Sequence, residues 1–396
     1  MVGLSNFQPQ TFIFQSPGRI LFGLDTVKKV GEEAKALGAG NVLIVAGEVT
    51  EKIGMVDRVK KLLEASGAKT AVFRCGKWEP YIEDFEAIVD FTRKGSYDVV
   101  LGLGGGKNID MAKVAAIMPR NPGRVDDYIG VNKVKQRGIP MIIVPTTAGT
   151  GSEATQAAVI AKGKIKVAIW SPQLIPEVAI VDPNLTLTLP PKVTAATGAD
   201  ALTHALEAIM SVDANPMSDS LALTAIRLIS RNLRQAYQKG DDVEARYNMC
   251  LASLMAGLAF NSAGLVAGHA AAYTYASDCK LPHGTSCGLA EPYIMSFNLP
   301  NCIEKFFSIA EAMDLKIEKL KPKEAAAEAV KAVKKIIGDV GLPTSLKELE
   351  VPKDLVPTLA EDLITKYGRL LPRNPRKITK EDALRIFEKM WSGELD

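Results

Sequence analysis

The sequence predicts two architectures in series: an α/β amino-terminal half on a doubly wound, mostly parallel sheet, and an all-α carboxy-terminal half. Three observations carry this expectation. Up to about residue 187, short β-branched apolar runs alternate with helical patterns. After Leu189-Pro190-Pro191 the strand runs stop and helical periodicity continues. A length of 396 residues, set against ~150 residues for a typical domain, leaves room for two or three domains.

The strand runs are 41–46, 70–73, 98–103, 140–144 and 178–181. They are continuous apolar stretches rather than alternating ones, which implies strands buried on both faces, as in βαβ units. Between them Glu51 to Ala65 places Ile53, Val56, Val59, Leu62 and Leu63 at helical spacing. The second half reads as helices over 191–210, 216–238, 242–264, 285–298, 303–313, 322–339, 356–366 and 379–391. Pro190-Pro191 is a natural break, because neither residue donates to a ladder and each restricts the residue before it. The expected division is therefore a domain over 1–187 and a helical one over 188–396. The charged stretch Lys316 to Glu324 reads as a solvated linker or helix face.

Composition excludes several classes. Hydrophobic residues at 47% and charged residues at 23% describe a globular chain, not a disordered one. A net charge of +3, from 48 basic and 45 acidic residues spread along the sequence, offers no concentrated field for nucleic acid or an anionic membrane, so neither is an expected partner. Met1 to Asn6 lacks the pattern of a signal peptide, and five cysteines form no C-x-x-C pair, so a reducing, cytoplasmic location is expected.

The smallest count says most: there are three histidines, His204, His269 and His283. Asp200 and His204 stand four apart in a good helix former, which puts both on one helix face. Alone, such a pair is usually a solvated ion pair. But His269 follows the apolar, glycine-flanked Gly264 to Gly268, and His283 sits in the tight Pro282-His283-Gly284 turn. One metal site is the simplest explanation of all three. One carboxylate and three imidazoles suit Fe2+, Zn2+ or Mn2+. A competing ligand set, Cys279, His283 and Cys287, has zinc-like spacing but no evident fourth ligand.

A second constellation is Gly104-Gly105-Gly106-Lys107-Asn108-Ile109-Asp110, at a strand-to-helix turn. Consecutive glycines there let backbone N–H groups and a helix start approach a phosphate. The polar turn Pro145 to Glu153, with Thr146, Thr147 and Thr150, falls at the same end of the parallel sheet. Ligands bind at that end, and two phosphate-friendly loops suggest a dinucleotide.

Together these segments resemble the iron-containing (group III) alcohol dehydrogenase family over nearly the whole chain. The matching stretches are Gly104 to Lys113, Pro145 to Glu153, Ala196 to Glu207, Ala263 to Ala270 and Pro282-His283-Gly284. The resemblance implies a dehydroquinate synthase-like architecture, with a cofactor domain, a metal-binding domain and a cleft between them. It implies Asp200, His204, His269 and His283 as metal ligands, most simply for Fe2+. It implies that Gly104, Gly105, Gly106 and Lys107 cradle the pyrophosphate, that Asp110 fixes that loop, and that Thr146, Thr147 and Thr150 line the adenosine side. Lys166 falls on a family lysine near the cofactor. The implied reaction is the interconversion of primary or small secondary alcohols and their carbonyls by an enzyme that is dimeric or larger.

Four departures matter. Lys107 replaces a common Ser, Glu79 replaces the Asn of an Asn-Pro pair, and Tyr273 stands where many members have another His. Gly47 replaces an Asp that would repel a 2′-phosphate, so NADP(H) is favoured over NAD(H), unless Glu48 takes the ribose. Alternative readings are a zinc-dependent glycerol or polyol dehydrogenase, a lyase of the dehydroquinate-synthase type, and a non-enzymatic metal protein.

Overall fold

The computed structural model describes residues 11–76 and 80–395. Met1 to Asn6 and Glu79, used above, lie outside the described residues. Among the described residues a six-stranded, all-parallel sheet has the order β1 (Arg19–Phe22), β9 (Val178–Val181), β6 (Met141–Pro145), β4 (Val99–Gly104), β2 (Asn41–Gly47), β3 (Lys69–Cys75). Its helices are α1 (Val30–Ala36), α2 (Glu48–Lys52), α3 (Met55–Ala65), α4 (Ile82–Lys94) and α5 (Gly106–Ile117).

Successive residues of β2 and β4 face opposite sides. Leu43, Val45 and Val100 pack with Phe85, Ile88 and Ile109 of α4 and α5, while Val42, Ile44, Val99 and Leu101 pack with Val30, Val56 and Leu63 of α1 and α3. Both sheet faces are thus covered, the reason the strands read as unbroken apolar runs. From β2 the chain runs outward to β3 and then returns to β4 on the other side. This makes the crevice between the carboxyl ends of β2 and β4 the topological switch point, where ligands bind in such sheets.

A small second sheet, β5 (Gly130–Val131), β8 (Ile165–Trp170) and β7 (Ala157–Lys162), was not predicted. Its antiparallel β7–β8 hairpin mixes buried and half-exposed positions, which hides it from a search for continuous apolar runs.

The rest is helical: α6 (Pro191–Met210), α7 (Pro216–Gln238), α8 (Val243–Ala263), α9 (Ala267–Tyr275), α10 (His283–Asn298), α11 (Ile303–Ala312), α12 (Pro322–Asp339), α13 (Val356–Thr365) and α14 (Lys380–Ser392). Helix α6 starts at Pro191, whose missing N–H costs nothing at a first helical position. The unpredicted helix is α9. It follows Gly264, which has φ 76°, and leaves α8 at an angle of 106°. Nearly all of α9 is buried, so it carries no amphipathic stripe for sequence reading to detect. Among the described residues no single helix is long and apolar enough to cross a membrane.

Candidate metal centre and phosphate cradle

Three helices deliver the donors. Asp200, His204 and Glu207 lie on α6, His269 in the first turn of α9, and His283 and Cys287 at the start of α10. Donor atoms of Asp200, His269, His283 and Cys287 all lie within 4.8 Å of one another. Oδ1 of Asp200 is 3.9 Å from Nε2 of His269 and 3.7 Å from Nε2 of His283. Those distances are too long for hydrogen bonds, yet they suit two atoms each ~2.0–2.2 Å from a shared ion. Oδ1 of Asp200 and Nε2 of His269 are buried without any hydrogen-bond partner. Two buried atoms with no hydrogen-bond partner, each able to offer a lone pair and facing each other, fit a divalent cation.

His204 is brought alongside but not into that four-atom group. Its ring stacks between Phe260, at 4.4 Å between centroids, and His269, at 4.7 Å. Its Nδ1 lies 3.3 Å from the Gly149 carbonyl, which makes Nε2 the nitrogen left for a ligand. Burial pulls its imidazole down to about 4, with Asp200 opposing, so the ring is neutral and able to ligate. Burial, Lys166 and the other imidazoles likewise hold His283 well below the usual range. Burial opposes charge on His269, but the Cys287 sulfur and Glu207 outweigh it and hold that ring well above the usual range. Burial pushes the Cys287 thiol up to about 11. Of the competing set considered from spacing, Cys287 joins the cluster and Cys279 does not.

Sequence reasoning gave no role to two carboxyls behind His269. Glu207 accepts from Nδ1 of His269 at 2.6 Å, and Glu291 of α10 is fully buried with neither oxygen bonded. Burial and the Glu207 charge push the Glu291 carboxyl well above the ordinary range. Glu207 was discoverable, since it lies three residues beyond His204 on the same helix face. Tyr273 stacks on His283, 5.5 Å between centroids, and Lys166 holds its ammonium 5.3 Å from the centre of the Tyr273 ring. Lys166 therefore faces the edge of this cluster.

The other predicted residues gather at the switch point. Gly47 ends β2 and Gly104 ends β4, and the Asn108 side chain lies against both. Gly104 has φ 142°, and any Cβ there would collide with Asn108, so only glycine serves. Gly105 caps α5 and Gly106 opens it. A Cβ on Gly105 would touch Thr147 and one on Gly106 would touch Thr150, and the Thr146 N–H donates to the Gly104 carbonyl at 3.0 Å. The two loops thus meet in one backbone-lined corner at a helix start. Nζ of Lys107 donates to the Gly76 carbonyl at 2.9 Å across its rim.

Beneath it, Asp110 accepts from the Ser152 hydroxyl at 2.7 Å and from the Val159 N–H at 2.9 Å. Lys113, fully buried, reaches the Ser152 and Thr155 hydroxyls and the Thr155 and Ala157 carbonyls within 3.1 Å. Burial draws that ammonium down to about 8, with Asp110 opposing. This buried pair locks the glycine turn to the threonine loop.

Comparison with known proteins agrees with this architecture. Residues 17–183 match the family model described as iron-containing alcohol dehydrogenase, and residues 194–391 match that of the Fe-containing alcohol dehydrogenase family, C-terminal. The chain is 38% identical over 389 residues to long-chain-alcohol dehydrogenase 1 of Geobacillus thermodenitrificans, covering 96% of this chain and 98% of the relative. It superposes on a crystal structure of 1,3-propanediol oxidoreductase with TM-score 0.93 at 35% identity, covering 96% of this chain and 100% of that one. It superposes on sulfoacetaldehyde reductase from Bifidobacterium kashiwanohense in complex with NAD+ with TM-score 0.87 at 30% identity, covering 98% and 100%. With both halves matched in order, the chain belongs to the iron-containing alcohol dehydrogenase family.

Proposed function

We propose that this protein is an NADP(H)-linked alcohol dehydrogenase that interconverts primary or small secondary alcohols and their aldehydes or ketones, with Asp200, His204, His269 and His283 holding one divalent ion, Fe2+ before Zn2+ or Mn2+. The observation that carries the reading is the facing pair of orphaned buried atoms, Asp200 Oδ1 and His269 Nε2. When bound, such an ion polarises the substrate oxygen and the nicotinamide exchanges the hydride.

The chain's own residues bind, orient and exclude water. The Gly104 to Lys107 turn, at the start of α5, aims backbone N–H groups at a pyrophosphate. Thr146, Thr147 and Thr150 offer hydroxyls on its adenosine side, and Asp110 holds the two loops in register. Gly47 puts no carboxylate at the end of β2 to repel a 2′-phosphate, which supports NADP(H). Tyr273, stacked on His283, closes one edge of the metal centre against water, and Lys166 packs on it from the cofactor side. The cofactor part corresponds to 1–187 and the metal part to 188–396. Relatives named for long-chain alcohols and for 1,3-propanediol support primary alcohols as substrates. A cytoplasmic homo-oligomer, dimeric or larger, completes the proposal.

Anaerobic purification with elemental analysis, followed by NADP+ and NAD+ reduction across an alcohol series, tests it. One metal per chain and alcohol-dependent NADPH formation are expected. Alcohol turnover by a protein stripped of metal would refute the metal role.

A further inference from the structure

The geometry points to Glu207 as the positioning residue of the metal centre, an inference that rests on the metal reading above: its carboxylate determines which nitrogen of His269 faces Asp200. Glu207 is fully buried on α6. Its Oε1 accepts from His269 Nδ1 at 2.6 Å and from the His269 backbone N–H at 2.8 Å. Its Oε2 accepts from the Val266 N–H at 2.5 Å. Three donors from the turn that opens α9 therefore end on one carboxylate of α6. That helix start has no side-chain cap of its own, so Glu207 also serves its otherwise unbonded N–H groups.

An imidazole that ligates through Nε2 keeps a single N–H, and a carboxylate that accepts at Nδ1 holds it there. The lone pair is then on Nε2, the atom found buried, unbonded and 3.9 Å from Asp200 Oδ1. The same side chain thus sets both the position and the tautomer of the ligand. Gly268 makes this approach possible, since a Cβ there would collide with Glu207 and with Glu291. Replacing the carboxylate by an amide removes one acceptor oxygen and points an N–H2 at N–H donors, which unlocks the ring without changing side-chain size.

The test compares the wild-type protein with E207Q and E207D. Zn2+ affinity is measured by chelator competition, far-UV circular dichroism of the metal-free proteins controls for folding, and the visible spectrum of the Co2+ forms reports coordination. E207Q is expected to bind Zn2+ about 10- to 100-fold more weakly, with a displaced Co2+ spectrum, and E207D to lose less because it keeps the charge. A residue that only packs would change stability and leave the Co2+ spectrum untouched. Wild-type affinity and an unaltered Co2+ spectrum in a folded E207Q overturn the inference and leave the metal centre standing. If E207Q does not fold, wild-type affinity and spectrum in E207D overturn it. Wild-type protein that binds neither ion overturns the metal reading itself, and this inference with it.

Discussion

The cradle at the ends of β2 and β4 is made of backbone, with glycine at each close approach and a buried Lys113–Asp110 pair behind it. The centre on α6, α9 and α10 is made of side chains, with nearly every donor atom buried in an apolar helical core. The two regions fail differently as a result. For the proposed pyrophosphate, many N–H groups would share the work in the cradle, so no one side chain there is expected to be indispensable. At the centre each donor is single, and losing one leaves its partners buried and unmatched.

His269→Ala sharpens this contrast most. Bound metal and turnover should vanish together by elemental analysis and assay, with nicotinamide affinity retained by fluorescence titration. Loss of nicotinamide binding as well would mean that the two regions are not separable. Lys113→Met comes next, because it removes four buried hydrogen bonds and the cation beside the buried Asp110 carboxyl. Urea unfolding should show a loss of about 3–5 kcal/mol at unchanged metal stoichiometry in the absence of urea. A smaller effect falls on cofactor choice, where Gly47→Asp should move the ratio of kcat/KM from NADP+ towards NAD+ by about tenfold, or ~1.4 kcal/mol. An unmoved ratio would place the determinant elsewhere. The smallest effect is expected of Cys287→Ala. The four named ligands do not require its thiol, so metal content should persist. Metal loss in that variant would make sulfur a donor and displace His204 from the ligand set.

Much of this arrangement was legible in the residues, for unequal reasons. Scarcity exposed the centre: three histidines in apolar or tightly turned settings converge on one region. The Pro190-Pro191 break and the periodicity after it locate α6 over Pro191–Met210, as the sequence predicted. Helix α9 stayed hidden because burial on all sides erases the periodicity that marks a helix. The β7–β8 hairpin stayed hidden because its strands are only partly buried. Spacing of four residues pairs Asp200 with His204 and His283 with Cys287 equally well, and rotamers, which sequence does not encode locally, place Cys287 rather than His204 inside the tightest group. Glu207 escaped for another reason: its partners lie 59 and 62 positions further along the chain, a contact that only the folded helices create.

The most direct test of a single cation shared by these helices is equilibrium metal binding to the anaerobic protein, with alcohol-dependent NADPH formation measured at each occupancy. One ion per chain, with rate rising in proportion to occupancy and neither seen in Asp200→Asn or His204→Ala, is the expected result. Full turnover at zero occupancy, or unchanged stoichiometry in both variants, would contradict it.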